Sequence, residues 1–324
     1  MESSELYHVK QQFILGAYQS LTSQPLPPST SPDFLPTLIY QARAHIALSA
    51  PSAALSLLSS SLANSPELEE NVAVKAVNAL AKYVESPGDT TLEELRDLAV
   101  EVDSDEDEDA GDREAERDRW TVRVLAATAF ARAGEVEEAL ETVQAGRNKA
   151  WLEATAVTVQ LYLSIHRADL ARAELTRAKK WSEDDLLLQH IEATISLATG
   201  ADAYADCNSF YTEQLANPSL SSPHLFVARG VTRILMGEVE AAKSDFEEVK
   251  EGERGAETLG ALVVADELAP TKGSEEVVEK LWSQLASKYP TFPLVTDTQQ
   301  KSELFDELAT KFTVPPLAVA AAAE

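Results

Sequence analysis

The chain has 324 residues, of which 44% are hydrophobic, and a formal net charge of −27. This length can bury one elongated core or two domains, and the negative charge disfavours binding to nucleic acid or to an anionic membrane, since both need a basic footprint. The single cysteine, Cys207, excludes an internal disulfide framework and indicates a reducing compartment.

Alanine, leucine and glutamate dominate the composition, glycine is scarce, and no run alternates apolar and polar residues as a strand does. These features predict an all-α protein. The N-terminus does not resemble a secretory signal, because Glu2, Glu5 and Lys10 fall where its apolar core would lie. No window reaches the ~20 apolar residues that a transmembrane helix needs. We therefore expect a cytoplasmic protein without a transmembrane segment.

Residues 1–100 predict N-terminal helical hairpins. An amphipathic helical segment over 4–23 is interrupted near Gly16, and the five prolines within 25–36 predict a loop. Helical periodicity then predicts a hairpin over 38–48 and 52–62, and further helices over 66–86 and 91–100. These helices make up the predicted N-terminal region of helical hairpins.

An acidic run follows, and residues 101–119 predict a solvated, flexible loop because like charges repel one another. A calcium loop is the alternative, since acidic side chains occupy its positions 1, 3, 5 and 12. These are Asp103, Asp105, Asp107 and Glu114. Glu108 stands where that loop needs a glycine for its sharp turn, so the plain acidic loop is favoured.

Residues 120–290 predict a repeated helical hairpin. In the clearest unit, over 153–185, two helical patterns flank a short turn, and the small Ala171 marks the place where the helices touch. Ala139 and Ala242 take the same place, with steps of 171−139 = 32 and 242−171 = 71, close to one and two units of ~34–36 residues, the tetratricopeptide period. A degraded unit over 191–214 fills the gap and has Ala205 at this place.

The last unit covers 258–290, and residues 291–324 predict a C-terminal capping helix with a frayed tail. The capping helix is predicted over 301–312, with Leu304, Phe305, Leu308 and Phe312 on its apolar side. The predicted architecture is therefore an all-α solenoid of tetratricopeptide-like helical hairpins, curved or ring-like.

No sequence pattern in the chain predicts a catalytic, cofactor-binding or metal-binding site. The five histidines lack the i, i+4 spacing of a zinc helix, and phosphate-binding loops and nucleophile elbows are missing. Asp202 and Asp206 near Cys207 would raise the pKa of its thiol, which opposes a nucleophilic role. We therefore predict no catalytic residue, no cofactor and no metal site. The four tryptophans are interpreted as packing between repeats.

The function predicted from the helical repeats is the binding of a protein partner at a concave surface. In a helical-repeat solenoid the first helix of each hairpin lines the concave side, and most residues predicted there are apolar, which indicates a protein partner. The predicted groove residues are Val124, Thr128, Ala131, Ala156, Gln160, Leu163, Val227, Val231 and Ile234. A tight superhelix that buries these residues against one another is the alternative. The positions carry no cationic clamp, so an apolar segment suits the groove better than an acidic chaperone tail.

Several segments resemble one known family. ELYHVKQQFILGAYQ at 5–19 is similar to the opening of the coatomer epsilon subunit, and AVTVQLYLSIHRADLARAELTRAK at 156–179 is similar to its most typical repeat. ISLATG at 195–200, WSQL at 282–285 and ELFDEL near the end also resemble family segments. Their collinear order over nearly the whole chain carries the resemblance. The proline-rich insert, the acidic run and the alanine-rich tail depart from the family.

This resemblance implies a non-catalytic structural subunit of the heptameric COPI coat. Such a subunit would wrap and stabilise the C-terminal region of the coatomer alpha subunit and, through it, join the rest of the coat. It would support Golgi-to-ER retrograde and intra-Golgi vesicle transport from the cytoplasm, peripheral to Golgi and vesicle membranes. The alternative is a generic cytosolic tetratricopeptide adaptor or co-chaperone scaffold.

Overall fold

The computed structural model describes residues 3–104, 112–147, 151–200, 203–270 and 273–312. Over these ranges the regular structure is entirely helical, and no strand occurs in them, which confirms the all-α prediction. The first helices are α1 Ser4–Ile14, α2 Tyr18–Thr22, α3 Phe34–Ala47, α4 Pro51–Asn64, α5 Val72–Glu85, α6 Asp89–Ser104, α7 Arg113–Ala133 and α8 Val136–Thr142. The later helices are α9 Leu152–Ser164, α10 Ala168–Ala178, α11 Leu186–Thr199, α12 Tyr204–Leu215, α13 Pro223–Leu235, α14 Val239–Glu248, α15 Ala256–Leu268, α16 Ser274–Lys288 and α17 Pro293–Ala309.

Polar caps set the starts of several helices. Ser3 accepts a hydrogen bond from the Leu6 amide at 3.0 Å and begins α1. Asn71 accepts from two amides of the first turn of α5, and Ser222 caps α13 in the same manner. Such caps satisfy amides that the helix itself leaves unpaired. Local polar residues therefore fix where these hairpins start.

Two predicted boundaries are corrected. The helix predicted over 66–86 is divided into a 3₁₀ turn, Pro66–Glu70, and α5, because Asn71 adopts an extended conformation and caps the second part. The last helix begins at Pro293 and not at residue 301, since a proline is well accommodated in the first turn of a helix.

The acidic run is helical at both ends. α6 extends to Ser104, and α7 begins at Arg113 behind an Asp112 cap. The Asp103 carboxylate lies 2.6 Å from the Arg123 guanidinium of α7, so it is engaged in an ion pair. Residues 105–111 lie outside the described ranges, and with them two of the four acidic positions of the calcium alternative, Asp105 and Asp107, and Glu108 at the glycine position. The predicted alanine-rich tail also lies outside them.

Consecutive helices pair as antiparallel hairpins from α1–α2 to α15–α16, and successive odd-numbered helices contact one another from α1 to α11 and again between α13 and α15. Ala139, Ala171 and Ala242 are completely buried, as the repeat pattern predicts. In the degraded unit, Cys207 and not Ala205 takes this place, since Cys207 is buried and Ala205 is exposed. The steps 207−171 = 36 and 242−207 = 35 then restore a regular repeat.

The largest apolar core joins α3 to α9, and smaller clusters continue it toward the C-terminus. Trp120 and Trp151 stack within it, with ring centroids 6.4 Å apart, which confirms for these two the predicted packing between repeats. The array also turns back on itself. α1 contacts α11, and Leu15, which follows α1, is buried among residues of α11, α12 and α13. The N-terminal hairpin thereby closes the curved array.

Candidate partner-binding cavity

A cavity of about 1060 Å³ lies on the inner side of the array. Residues of α1–α3 form one wall, and residues of α7, α9, α11, α13 and α15 form the others. These are chiefly the first helices of successive hairpins, which the repeat architecture turns toward the axis of curvature. Closure by α1–α2 therefore converts an open concave face into a bounded cavity.

Four of the nine predicted groove residues line this cavity. They are Val124 and Thr128 of α7 and Ala156 and Gln160 of α9. Val124 is almost fully buried, Thr128 and Ala156 are half-buried, and Gln160 is exposed. The Thr128 hydroxyl donates to the Val124 carbonyl at 2.7 Å, so its hydrogen bond is made within α7. This part of the wall mixes apolar and polar side chains, since Arg132 and Glu153 also line it.

The other five residues lie elsewhere. Ala131 packs against the N-terminal core, and Leu163 packs against the cluster of α9–α11 and borders a separate shallow depression. Val227, Val231 and Ile234 are half-buried against the cluster of α14 and α15. The structure therefore brings four of the nine together at one cavity. The assignment of all nine to a partner surface stays a prediction.

A largely buried ion pair crosses one side of the cavity. The Arg43 guanidinium of α3 lies 2.8 Å from the Glu153 carboxylate of α9, and the Tyr40 hydroxyl donates to the same carboxylate at 2.6 Å. Arg43 also lies over the Phe13 ring, 4.5 Å from its centroid. Burial alone would raise the pKa of Glu153, but Arg43 and the Tyr40 hydrogen bond outweigh burial and hold that pKa below its ordinary value. Glu153 therefore stays ionised and ties α3 to α9.

Two histidines form another part of the wall. Burial, with a smaller contribution from His224, lowers the pKa of His190 to about 4, so its imidazole is neutral at pH 7. The His190 Nδ1 is buried and has no hydrogen-bond partner among the described residues. The His224 Nδ1 lies 3.3 Å from Glu257, and this contact lowers the pKa of the Glu257 carboxyl despite partial burial. This side of the cavity is polar.

The single thiol of the chain is buried. Burial raises the pKa of the Cys207 thiol, and nearby Asp206 adds to the effect, as the sequence indicates. Within the described ranges, no cluster of three or more His, Cys, Asp or Glu side chains is arranged to hold a metal ion. None of the helices searched there is both long and apolar enough to cross a bilayer.

Sequence reasoning missed the contribution of α1–α3 to the cavity. Tyr40 and Glu153 are 113 residues apart, and no local pattern shows that their helices meet. One usable signal is that Arg43 is the only Asp, Glu, Lys or Arg residue in α3. A charge in such a place usually has a partner of opposite sign when it is buried.

Comparison with known proteins covers nearly the whole chain. The sequence profile of the coatomer epsilon subunit matches residues 2–313. Coatomer subunit epsilon-1 of Arabidopsis thaliana is 25% identical over 313 residues, which cover 95% of this chain and 97% of that protein. The probable coatomer subunit epsilon of Schizosaccharomyces pombe is 24% identical and covers 96% of each chain.

A solved structure supports the fold. A tetratricopeptide repeat protein from Parabacteroides merdae superposes with a TM-score of 0.50 at 14% identity, over 80% of this chain and 95% of the other. This likeness confirms the tetratricopeptide-like architecture that the repeat spacing predicts. The match of the family profile over residues 2–313 has the stronger consequence. The chain therefore belongs to the coatomer epsilon subunit family, whose members are structural subunits of the COPI vesicle coat.

Proposed function

We propose that this chain is a non-catalytic subunit that holds the C-terminal region of the coatomer alpha subunit in its cavity. Family membership supports a place in the coat, and the closed array supports a role in enclosing another polypeptide. In this role the protein would stabilise the alpha subunit during Golgi-to-ER retrograde and intra-Golgi transport. It would act in the cytoplasm and at Golgi and vesicle membranes through the complex.

The cavity itself is the observation that carries this proposal. Its volume of about 1060 Å³ lies just above the range of small-molecule pockets, and its α7–α9 wall combines apolar Val124, Ala156 and Val157 with polar Thr128 and Gln160. A wide surface with apolar side chains is typical of a site for a partner chain. A segment with apolar side chains would replace water along that wall and gain the corresponding hydrophobic stabilisation.

The charges at the cavity favour a neutral or basic segment. Arg43 is paired with Glu153, and Lys250 lies 3.5 Å from Glu253, so two cations already have carboxylate partners. Four glutamates and three cations line the cavity, namely Glu153, Glu248, Glu253, Glu257, Arg43, Arg132 and Lys250. A co-chaperone clamp for an acidic tail would need several cations free to pair with that tail, and this lining does not favour one.

A new charge on the α9 part of the wall tests the proposal. Ala156→Arg places a guanidinium at the cavity, whereas Ala173→Arg makes the same change on the exposed side of α10. Binding of the purified C-terminal region of the alpha subunit would be measured by calorimetry. Because a partner would have to desolvate the new charge, we expect Ala156→Arg to weaken binding at least tenfold, about 1.4 kcal/mol. Ala173→Arg should bind as the unmodified protein does.

Two results would count against the proposal. One is equal binding by both variants with unchanged melting temperatures, which would place the partner outside the cavity. The other is affinity purification that recovers chaperones in place of coat subunits in constant ratio, which would favour the adaptor alternative.

A further inference from the structure

The last helix, α17, leaves the array after its first turn. Val295 in that turn is completely buried against Leu259 and Leu285. From residue 297 to residue 312 every residue is exposed, and α17 packs along no other helix of the described ranges. We call residues 297–312 the arm. The array therefore holds the start of α17 and leaves more than three helical turns of it in solvent.

One side of the arm is apolar. Four large apolar residues recur there at helical spacing, and their exposed fractions run from 42% to 75%. We call these residues the stripe, and they are Leu304, Phe305, Leu308 and Phe312. No described part of the array covers them. An exposed apolar surface of this size on a helix is typical of an interaction site.

The charged residues show which side of the arm suits a partner. Each of the two lysines of the arm is paired with a carboxylate one turn away. Glu303 and Asp306 have no ion-pair partner among the described residues, and at 3.6 residues per turn they lie on the side opposite the stripe. An unpaired carboxylate is costly to remove from water. We therefore expect the stripe to be the binding side and the side of Glu303 and Asp306 to stay in solvent.

A second copy of this chain is a poor occupant of the stripe. With two phenylalanines and two half-exposed leucines, the stripe offers on the order of 500 Å² of surface. Two stripes together would bury ~1,000 Å², which is less than the ~1,200–2,000 Å² of a specific stable interface. Each copy also carries a net charge of −27, so two copies repel each other. The stripe therefore suits a different chain, and one that another contact already holds nearby.

The arm starts at the rim of the cavity. Tyr289 and Phe292, which lie just before α17, are part of the cavity lining. The helical part of the arm extends ~20 Å from there, at 1.5 Å per residue. A chain held in the cavity would thus have its remaining part within reach of the stripe. A second contact of this kind forms at high effective concentration, so even a small one can raise the overall affinity by about 10²–10⁴.

We propose that the stripe is a second binding surface for the chain whose segment occupies the cavity, and that it packs into an apolar groove on the part of that chain outside the cavity. This inference rests on the proposed function, because it assigns the stripe to the C-terminal region of the coatomer alpha subunit. The arm has no tertiary support in the free protein, and helices of this length are only marginally stable alone. Docking would therefore bury the stripe and order the arm together.

Substitutions on opposite sides of the arm test the proposal. Phe305→Gln with Leu308→Gln removes half of the stripe, and Glu303→Gln with Asp306→Gln places the same two side chains on the opposite side. Glutamine is a good helix former and all four positions are exposed, so both variants should melt as the unmodified protein does. In calorimetry with the purified C-terminal region of the alpha subunit, we expect the stripe variant to bind at least tenfold more weakly. The opposite-side variant should bind with unchanged affinity.

Hydrogen exchange gives a readout that does not depend on affinity. Amides of residues 300–309 should exchange at least tenfold more slowly in the saturated complex than in the free protein, because docking orders the arm. Helix α4, which packs against α3 and α5, is the internal control, and its exchange should not change.

Several results would overturn the second surface and leave the proposed function intact. These are unchanged affinity of the stripe variant, equal losses in both variants, or unchanged exchange of the arm on binding. A dimer of the unmodified protein in sedimentation that the stripe variant loses would assign the stripe to a second copy. Slow exchange of the arm in the free protein that becomes fast on removal of residues 313–324 would assign it to the end of this same chain. Failure of the unmodified protein to bind the alpha subunit region would instead overturn the proposed function and this inference with it.

Discussion

His190 should make the free energy of unfolding depend on pH, and the magnitude of this effect follows from the pKa of its side chain. Its folded pKa is about 4, because burial disfavours the imidazolium and His224 adds to this effect. In the unfolded chain the pKa returns to ~6.5. A base with a depressed folded pKa favours the unfolded state when it is protonated. Its stabilising contribution is therefore fully present above pH ~6.5 and is lost as pH falls toward 4.

The shift of 6.5−4 = 2.5 pKa units corresponds to ~3 kcal/mol over the full range, at 1.36 kcal/mol for each unit. Between pH 7.5 and pH 5 the loss of unfolding free energy should be ~2 kcal/mol. His190→Leu removes this titration, since leucine carries no proton in either state. The variant also removes the buried Nδ1 that lacks a partner, so it should be no less stable than the unmodified protein at pH 7.5.

The measurement is urea denaturation of both proteins at pH 7.5 and pH 5. All other ionisable groups are the same in both proteins, so the difference of the two pH effects isolates His190. That difference should be ~2 kcal/mol in favour of His190→Leu at the lower pH. A difference below ~0.5 kcal/mol would refute the reasoning, as would an NMR titration that places the folded pKa of His190 near its unfolded value of ~6.5.

Three further substitutions follow from single contacts. Gly230→Ala should lower stability by ~1–3 kcal/mol in thermal unfolding, because its Cβ would lie 2.1 Å from the buried Phe246 ring. Glu153→Gln should cost ~2 kcal/mol, because the largely buried Arg43 loses its carboxylate partner. Phe305→Glu should change stability by less than ~0.5 kcal/mol, because the Phe305 side chain is 71% exposed.

Each of these substitutions has a clear contrary result. Gly252→Ala is the control for the first, since a Cβ there would meet no atom within 4 Å, and equal effects at both glycines would refute the packing argument. For Glu153→Gln, an unchanged denaturation midpoint at pH 7 would show that the ion pair adds nothing. A large loss of stability in Phe305→Glu would show that the apolar side of α17 is covered, as the predicted capping helix requires.

The hairpin order could be predicted from sequence because it depends on local information. Apolar residues at helical spacing and small anchors such as Ala171 define each unit without reference to distant residues. The degraded unit shows the limit of this approach. The acidic neighbours of Cys207 bear only on its thiol chemistry, whereas its spacing to Ala171 and Ala242 fits the small buried side chain of the repeat. Side-chain volume was the relevant property there, and cysteine behaves as a small hydrophobe when it is buried.

The cavity was only partly predictable. Residues of α7 and α9 were found because they lie on the first helices of well-formed hairpins, whereas Val227, Val231 and Ile234 pack within their own part of the array. The difference arises from curvature, which accumulates over many small rotations between hairpins. An error of a few degrees for each unit moves a residue from the cavity to an interface. The approach of α3 to α9 follows from the same accumulation, so a short sequence window could not reveal it.

Closure gives the two ends of the array different surfaces. The N-terminal hairpin buries Leu15 and Leu21 inside the molecule, so that end needs no further cover. At the other end, Val295 of α17 is buried, while Phe305 and Phe312 are 71% and 75% exposed. Terminal repeats of an open solenoid usually need a polar outer face at both ends. Here the curvature that forms the cavity also covers the first end, so one structural feature accounts for both the cavity and the burial of the N-terminal hairpin.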